Sequence, residues 1–183
     1  GDPKAPHEIL VLLDFAAPES AKLWHAVSEA SRSLAPAQCK IVVFANSHEY
    51  YGTDLMGMAI WIAHNRPGQA MSYLTYALDR WNSVKAAQKK AHGKAVPFNN
   101  EYDATVQSAD YPIHYSYMAR LRPPVSANQE LAVAKYCYNA GNVNLYQAQQ
   151  ISQFYGVKRL PAVVVDGSPL SSVSSGAILK ALQ

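Results

Sequence analysis

Three kinds of hydrophobic pattern alternate along the chain. Glu8 to Phe15 (EILVLLDF) is nearly continuous in apolar residues, as a central strand buried on both faces would be. After Ala16-Ala17-Pro18 the period changes. Leu23, Trp24, Val27, Ala30 and Leu34 recur at helical spacing, Pro18 and Glu19 suit a first helical turn, and Pro36 ends the helix. Cys39 to Ala45 (CKIVVFA) then predicts a second strand, completing a βαβ unit with a right-handed crossover. Leu55, Met56, Ala59, Ile60 and Ala63 predict a helix over 53–64, and Gln69 to Lys90 reads as one long helix or two. Gly93 to Asn128 is irregular and rich in proline and tyrosine. Two further helices are predicted over 129–139 and 145–155, separated at Gly141-Asn142. Ala162 to Asp166 (AVVVD) is a strand, Asp166-Gly167 a hairpin turn, and Ser168 to Leu170 its return. Ser174 caps a last short helix.

The order is βαβ, a helical block, then a hairpin and a helix. It predicts an α/β chain whose sheet is assembled from both ends around an insertion. Composition narrows the function classes. Of 183 residues, 49% are hydrophobic and 16% charged, so a packed core is within reach and disorder is excluded. Two cysteines cannot staple a chain of this length. The net charge of +3 is scattered, without the basic stripe of a nucleic-acid or anionic-membrane binder. No apolar run approaches the ~20 residues of a membrane span.

At three places the residues resemble the Dsb-type disulfide oxidoreductases and isomerases of the thioredoxin superfamily. The first is Phe15, then Ala17-Pro18-Glu19-Ser20 opening a helix with Lys22-Leu23-Trp24. The second is Met58-Ala59-Ile60-Trp61-Ile62-Ala63-His64-Asn65, followed by Ala70. The third is Tyr155-Gly156-Val157 and Leu160-Pro161-Ala162-Val163-Val164-Val165-Asp166-Gly167. The resemblance implies a thioredoxin-like fold with a large helical insertion. Residues 1–47 and 157–183 would form the thioredoxin-like domain, and 48–156 the inserted helical domain. It also implies a cis-proline at Pro161 beside the active-site groove, and a periplasmic location reached by way of a leader removed ahead of Gly1.

The family keeps its Cys-x-x-Cys at 17–20. Thiol–disulfide exchange needs an attacking thiolate and a resolving sulfur, and Ala17 and Ser20 supply neither. Ser20 is the one nucleophile-like group left there. His25 lies about 140° around the helix from it and cannot serve as its base. Kappa-type glutathione transferases and chromene-carboxylate isomerases share the fold and use a serine, but at the position that is Ala17 here. Ser20 therefore reads first as a helix-start residue. The resemblance then implies a non-enzymatic, redox-inactive protein of the bacterial envelope, without cofactor. It would bind or scaffold a protein or extended peptide of an envelope assembly, such as conjugative transfer or pilus and secretion assembly. The groove would be Ala17, Pro18, Glu19, Ser20, Leu160 and Pro161, with strand addition as one mode of capture. The alternatives are a glutathione-binding transferase or isomerase using Ser20, and a periplasmic holdase chaperone.

Other chemistry is sparse. Cys39 and Cys137 are far apart, so they make no zinc or redox motif; buried thiols are the common fate, a structural disulfide the alternative. His48-Glu49 opens like a zincin motif, but Gly52 stands where the second histidine belongs, and no metal site is expected. Tyrosine is abundant, at 12 residues. Tyr50, Tyr51, Tyr111, Tyr115 and Tyr117 form either an interface or a cover for the core.

Overall fold

A computed structural model describes residues 1–46, 51–92 and 113–183. The chain runs β1 (His7–Leu13), α1 (Glu19–Arg32), β2 (Cys39–Ala45), α2 (Tyr51–Asn65), a 3₁₀ turn (Pro67–Gln69), α3 (Ala70–His92), α4 (Ile113–Met118), α5 (Ala127–Phe154), β3 (Ala162–Val165), β4 (Ser168–Pro169) and α6 (Ser175–Ala181). The strands form one mixed sheet in the order β2-β1-β3-β4. β1 pairs in parallel with β2, and antiparallel with β3 through Ile9↔Val165 and Leu12↔Ala162. The sheet thus joins the two ends of the chain, as the pattern of strands and helices predicts.

The continuous apolar run of β1 is explained by its central place. From Ile9 to Leu13 every residue is buried. Ile9, Val11 and Leu13 share the largest core cluster with Trp24 and Val27 of α1 and with Leu55, Met58 and Ile62 of α2. That cluster runs without interruption from the sheet into the helical block. The hairpin turn places both Asp166 and Gly167 at positive φ, 45° and 81°, the two left-handed positions that Asp-Gly tolerates. Ser174 Oγ accepts from the Ala177 N–H at 3.1 Å and caps α6.

The helical block differs from expectation at two places: the short helix α4 lies within the stretch 93–128 that reads as irregular, and two expected helices are joined. The helices foreseen over 129–139 and 145–155 are one helix, α5, which passes through Gly141-Asn142 without a break. Gly141 is there for contact. A methyl group on it would strike the Thr53 carbonyl of α2, and one on Gly57 of α2 would strike the Cys137 carbonyl of α5. The two helices run antiparallel with their backbones touching at these glycines, a packing that no side chain permits. Of the two readings open for Gln69 to Lys90, the single helix holds, as α3.

Asp166 ties the hairpin to the start of β1. Its carboxylate accepts from the Glu8 N–H at 2.8 Å and lies 2.8 Å from His7 Nδ1. The Glu8 N–H first, and then His7, hold the carboxyl below its ordinary value of 3.8. A depressed folded-state pKa contributes stability above the unfolded value that is lost as pH falls through the folded one. Asp166→Asn should therefore flatten the decline in Tm below about pH 4, measured by thermal melts across acid pH. An unchanged acid limb would show that the tie adds nothing.

Candidate functional site

The loop from Asp14 to Ser20 leaves the end of β1, and Leu160-Pro161 leads into β3. Because Leu12 pairs with Ala162, the register brings Pro161 beside Leu13. Residues 14–20 and 160–161 therefore meet at one end of two neighbouring strands, and the Leu160–Pro161 bond is cis, as the family resemblance implies. Arg122–Pro123 is also cis, which nothing in the sequence anticipates.

Within the loop the polar groups are taken up. The Asp14 carbonyl accepts from the Ala17 N–H at 3.0 Å and from Ser20 Oγ at 2.6 Å. Ser20 Oγ in turn accepts from the Asp14 N–H at 3.1 Å. The Asp14 carboxylate accepts from the Ala16 N–H at 2.9 Å, and the Ala17 carbonyl from the Ser20 N–H at 3.0 Å. Ser20 is fully buried, whereas Pro18 and Glu19 are exposed and Ala17 half-buried. The hydroxyl therefore joins the end of β1 to the start of α1, with both of its hydrogen-bonding roles satisfied by Asp14 backbone. His25 is turned away, 3.0 Å from Asp79 on α3. Ser20→Ala should cost about 1–3 kcal/mol, because it removes two buried hydrogen bonds between the hydroxyl and the Asp14 backbone. Urea titration measures this; a loss under a few tenths would mean the bonds are idle.

The helical block reaches this loop through one face of α3. Thr75 Oγ1 accepts from Trp24 Nε1 at 2.9 Å, Asp79 meets His25, and Asn82 Nδ2 donates to the Pro18 carbonyl at 3.3 Å. Thr75, Asp79 and Asn82 are spaced by four and three, a single helical stripe. Sequence reasoning missed all three. The spacing was visible in the chain, but nothing marked α1 as the element they meet. It also missed Asp14, a buried carboxylate at the strand end.

No thiol lies in the loop. Cys39 and Cys137 are both buried, and neither forms a disulfide. Burial chiefly pushes the Cys39 thiol above its ordinary value of 9.0, making it a poor nucleophile. Cys137 Sγ lies 3.7 Å from Met58 Sδ, between α2 and α5. Of the tyrosines singled out above, Tyr50 and Tyr111 and the side chains of Tyr51 and Tyr115 fall outside the described residues. Tyr117 is half-buried, with its ring 5.0 Å from those of both Tyr73 and Tyr76. Burial raises its phenol pKa, and the Arg120 guanidinium partly offsets this. Arg120 lies 4.6 Å from the Tyr76 ring centroid. Tyr117 thus packs α4 against α3 and remains partly exposed.

Among solved structures, a protein-disulfide isomerase from Novosphingobium aromaticivorans superposes with a TM-score of 0.65 at 15% identity, over 98% of this chain and 91% of its own. A thioredoxin-like oxidoreductase from Silicibacter pomeroyi gives 0.61 at 13% identity, over 100% and 87%. MdbA, a thiol-disulfide oxidoreductase from Corynebacterium diphtheriae, gives 0.62 at 12% identity, over 98% and 84%. No family model and no curated protein matches the chain. The fold is thioredoxin-like with a helical insertion, of the kind these Dsb-type proteins share. Among the described residues no helix is long and apolar enough to cross a membrane.

Proposed function

We propose that this chain is a redox-inactive, Dsb-like protein of the bacterial envelope that binds or scaffolds a protein or extended peptide. Its inserted block, residues 48–156, acts as a topological insertion that shares the core of residues 1–47 and 157–183. One observation carries the reading. Where the oxidoreductases of this fold would keep two sulfurs, Ala17 offers a methyl group and Ser20 Oγ is buried and hydrogen-bonded to Asp14 backbone. The same bonds weigh against a glutathione enzyme built on Ser20, since a nucleophile must be exposed and served by a base. The groove beside Leu160-Pro161 needs no sulfur to pair with an extended backbone. A place in conjugative transfer or in pilus or secretion assembly suits a binding role of this kind.

The test is enzymatic. The purified chain should neither reduce insulin with a dithiol donor nor reshuffle a scrambled-disulfide substrate above background. Turnover at the rate of a working disulfide isomerase would defeat the proposal. Saturable glutathione binding, abolished in Ser20→Ala, would replace it with the transferase reading.

A further inference from the structure

We infer that Arg66, Arg120 and Arg122 form a binding surface for an acidic peptide segment of a partner protein, one that presents several carboxylates. They lie where α2 and α4 end and α3 and α5 begin. The surface draws on other residues than the loop 14–20 and does not depend on the function proposed there. None of the 13 acidic residues lies between Asp54 and Asp79, or between Asp110 and Glu130. The fold packs these two acid-free stretches together. The Gln69 side-chain amide donates to the Arg122 carbonyl at 2.7 Å and accepts from the Arg122 N–H at 2.9 Å. Tyr117 sets its ring against those of Tyr73 and Tyr76. Arg66, Arg120 and Arg122 are the only lysine or arginine residues in either stretch. The two stretches therefore carry positive charge and none of opposite sign.

The guanidinium groups are held in place by the chain itself. Arg66 Nε donates to the Pro123 carbonyl at 3.3 Å and its Nη1 to the Asn65 carbonyl at 2.7 Å, with the group 5.7 Å from the Trp61 ring centroid. Arg122 Nη1 donates to the Arg120 and Leu121 carbonyls at 3.3 and 3.0 Å. Arg120 rests on the Tyr76 ring. The three cations thus gather about the turn 120–123. Each guanidinium has more N–H donors than these contacts use. Among the described residues none of the three meets a carboxylate; the ion pairs found there are His7–Asp166, His25–Asp79 and Lys40–Glu8. Arg120 and Arg122 are exposed and Arg66 is half-buried. Tyr117 feels the Arg120 charge, which lowers its phenol pKa against the larger effect of burial. Positioned, unpaired guanidinium forks favour carboxylates, each taken by two parallel N–H bonds. The group is too small and too compact to follow the run of phosphates along a nucleic acid.

The experiment titrates the full chain with acetyl-Gly-Glu-Asp-Glu-Asp-Gly-amide and follows the arginine Nε–H signals by NMR. Saturating peptide should shift the signals of Arg66, Arg120 and Arg122. Raising NaCl from about 0.05 to about 0.2 M should weaken binding by about threefold or more. The same peptide with Gln and Asn for its Glu and Asp should not bind. Arg120 is exposed, so Arg120→Gln should melt as the native chain does and weaken binding by about threefold or more. Arg120→Lys, which keeps the charge and loses the fork, should restore only part of the loss. Arg32→Gln removes the same charge from the last turn of α1 and should change nothing. No binding at about 1 mM peptide, equal binding of the uncharged peptide, or an equal loss in Arg32→Gln would overturn the inference. So would phosphatidylglycerol vesicles or a single-stranded DNA that shifts the same signals at lower concentration than the peptide, because the occupant would then be a membrane or a nucleic acid.

Discussion

Gly141→Val should unfold the protein at temperatures that the native chain withstands. Gly141 and Gly57 sit where α2 and α5 touch backbone to backbone, against Thr53 and Cys137. Overpacking a core typically costs about 1–3 kcal/mol, with side chains moving aside to absorb part of it. Here the obstructing atoms are main chain in the middle of two helices. The helices must separate, and the buried Leu55, Met58, Ile62 and Cys137 lose contacts with them. The expected loss is about 3 kcal/mol or more, roughly 6–12 °C in Tm for a chain of this size. Gly57→Val should behave alike. Gly176, in the first turn of α6, has nothing within 4 Å of where a methyl group would sit, so Gly176→Ala is the control. It should be neutral or should stabilise by about 0.4–1 kcal/mol. Calorimetry decides; a Tm for Gly141→Val within a degree of the native chain would refute the contact.

The double variant Ala17→Cys/Ser20→Cys should gain disulfide chemistry. The Ser20 N–H to Ala17 carbonyl bond closes a turn, and the ends of such a turn lie within about 7 Å. That overlaps the span a disulfide bridges. A thiol at 17 would stand just before α1, whose N-terminus favours a thiolate, while the carboxylate of Glu19 opposes it. The variant should therefore form an internal disulfide and reduce insulin measurably, and adding Glu19→Ala should increase the rate. Each single cysteine variant should stay inactive, lacking either attack or resolution. A double variant that forms the bond yet stays inert would mean that more than two sulfurs separates this loop from the active site of an oxidoreductase.

The sequence marked the fold well wherever one local signal sufficed. Continuous apolar residues marked β1 because a central strand has no polar face. Asp-Gly marked the hairpin because few other residues accept two positive φ values. Gly141 misled for the converse reason. A glycine in a helical pattern usually signals a break, and only the distant Thr53 shows that here it keeps a helix close to its neighbour. The site was legible in position and obscure in detail. The family resemblance placed Ala17 to Ser20 and Pro161 together. That Ser20 is held by both backbone groups of Asp14 depends on the conformation of a six-residue turn, and that Thr75, Asp79 and Asn82 clasp the start of α1 follows from packing between segments far apart in the chain.

The pairing of β1 with β3 also bears on how the protein is made. Glu8 and Asp166 bond across a separation of 158 positions. Such closure is slow, because the chain must be ordered over its whole length before the contact rewards it. During synthesis, β1, α1, β2 and the helices emerge first, and β1 waits with one flank bare. The junction of residues 14–20 with Leu160-Pro161 forms late, after nearly the entire chain has emerged. A stalled or clipped product would thus expose the apolar edge of Ile9 to Leu13, which makes nascent chains of this protein clients for whatever guards unfinished sheets against aggregation.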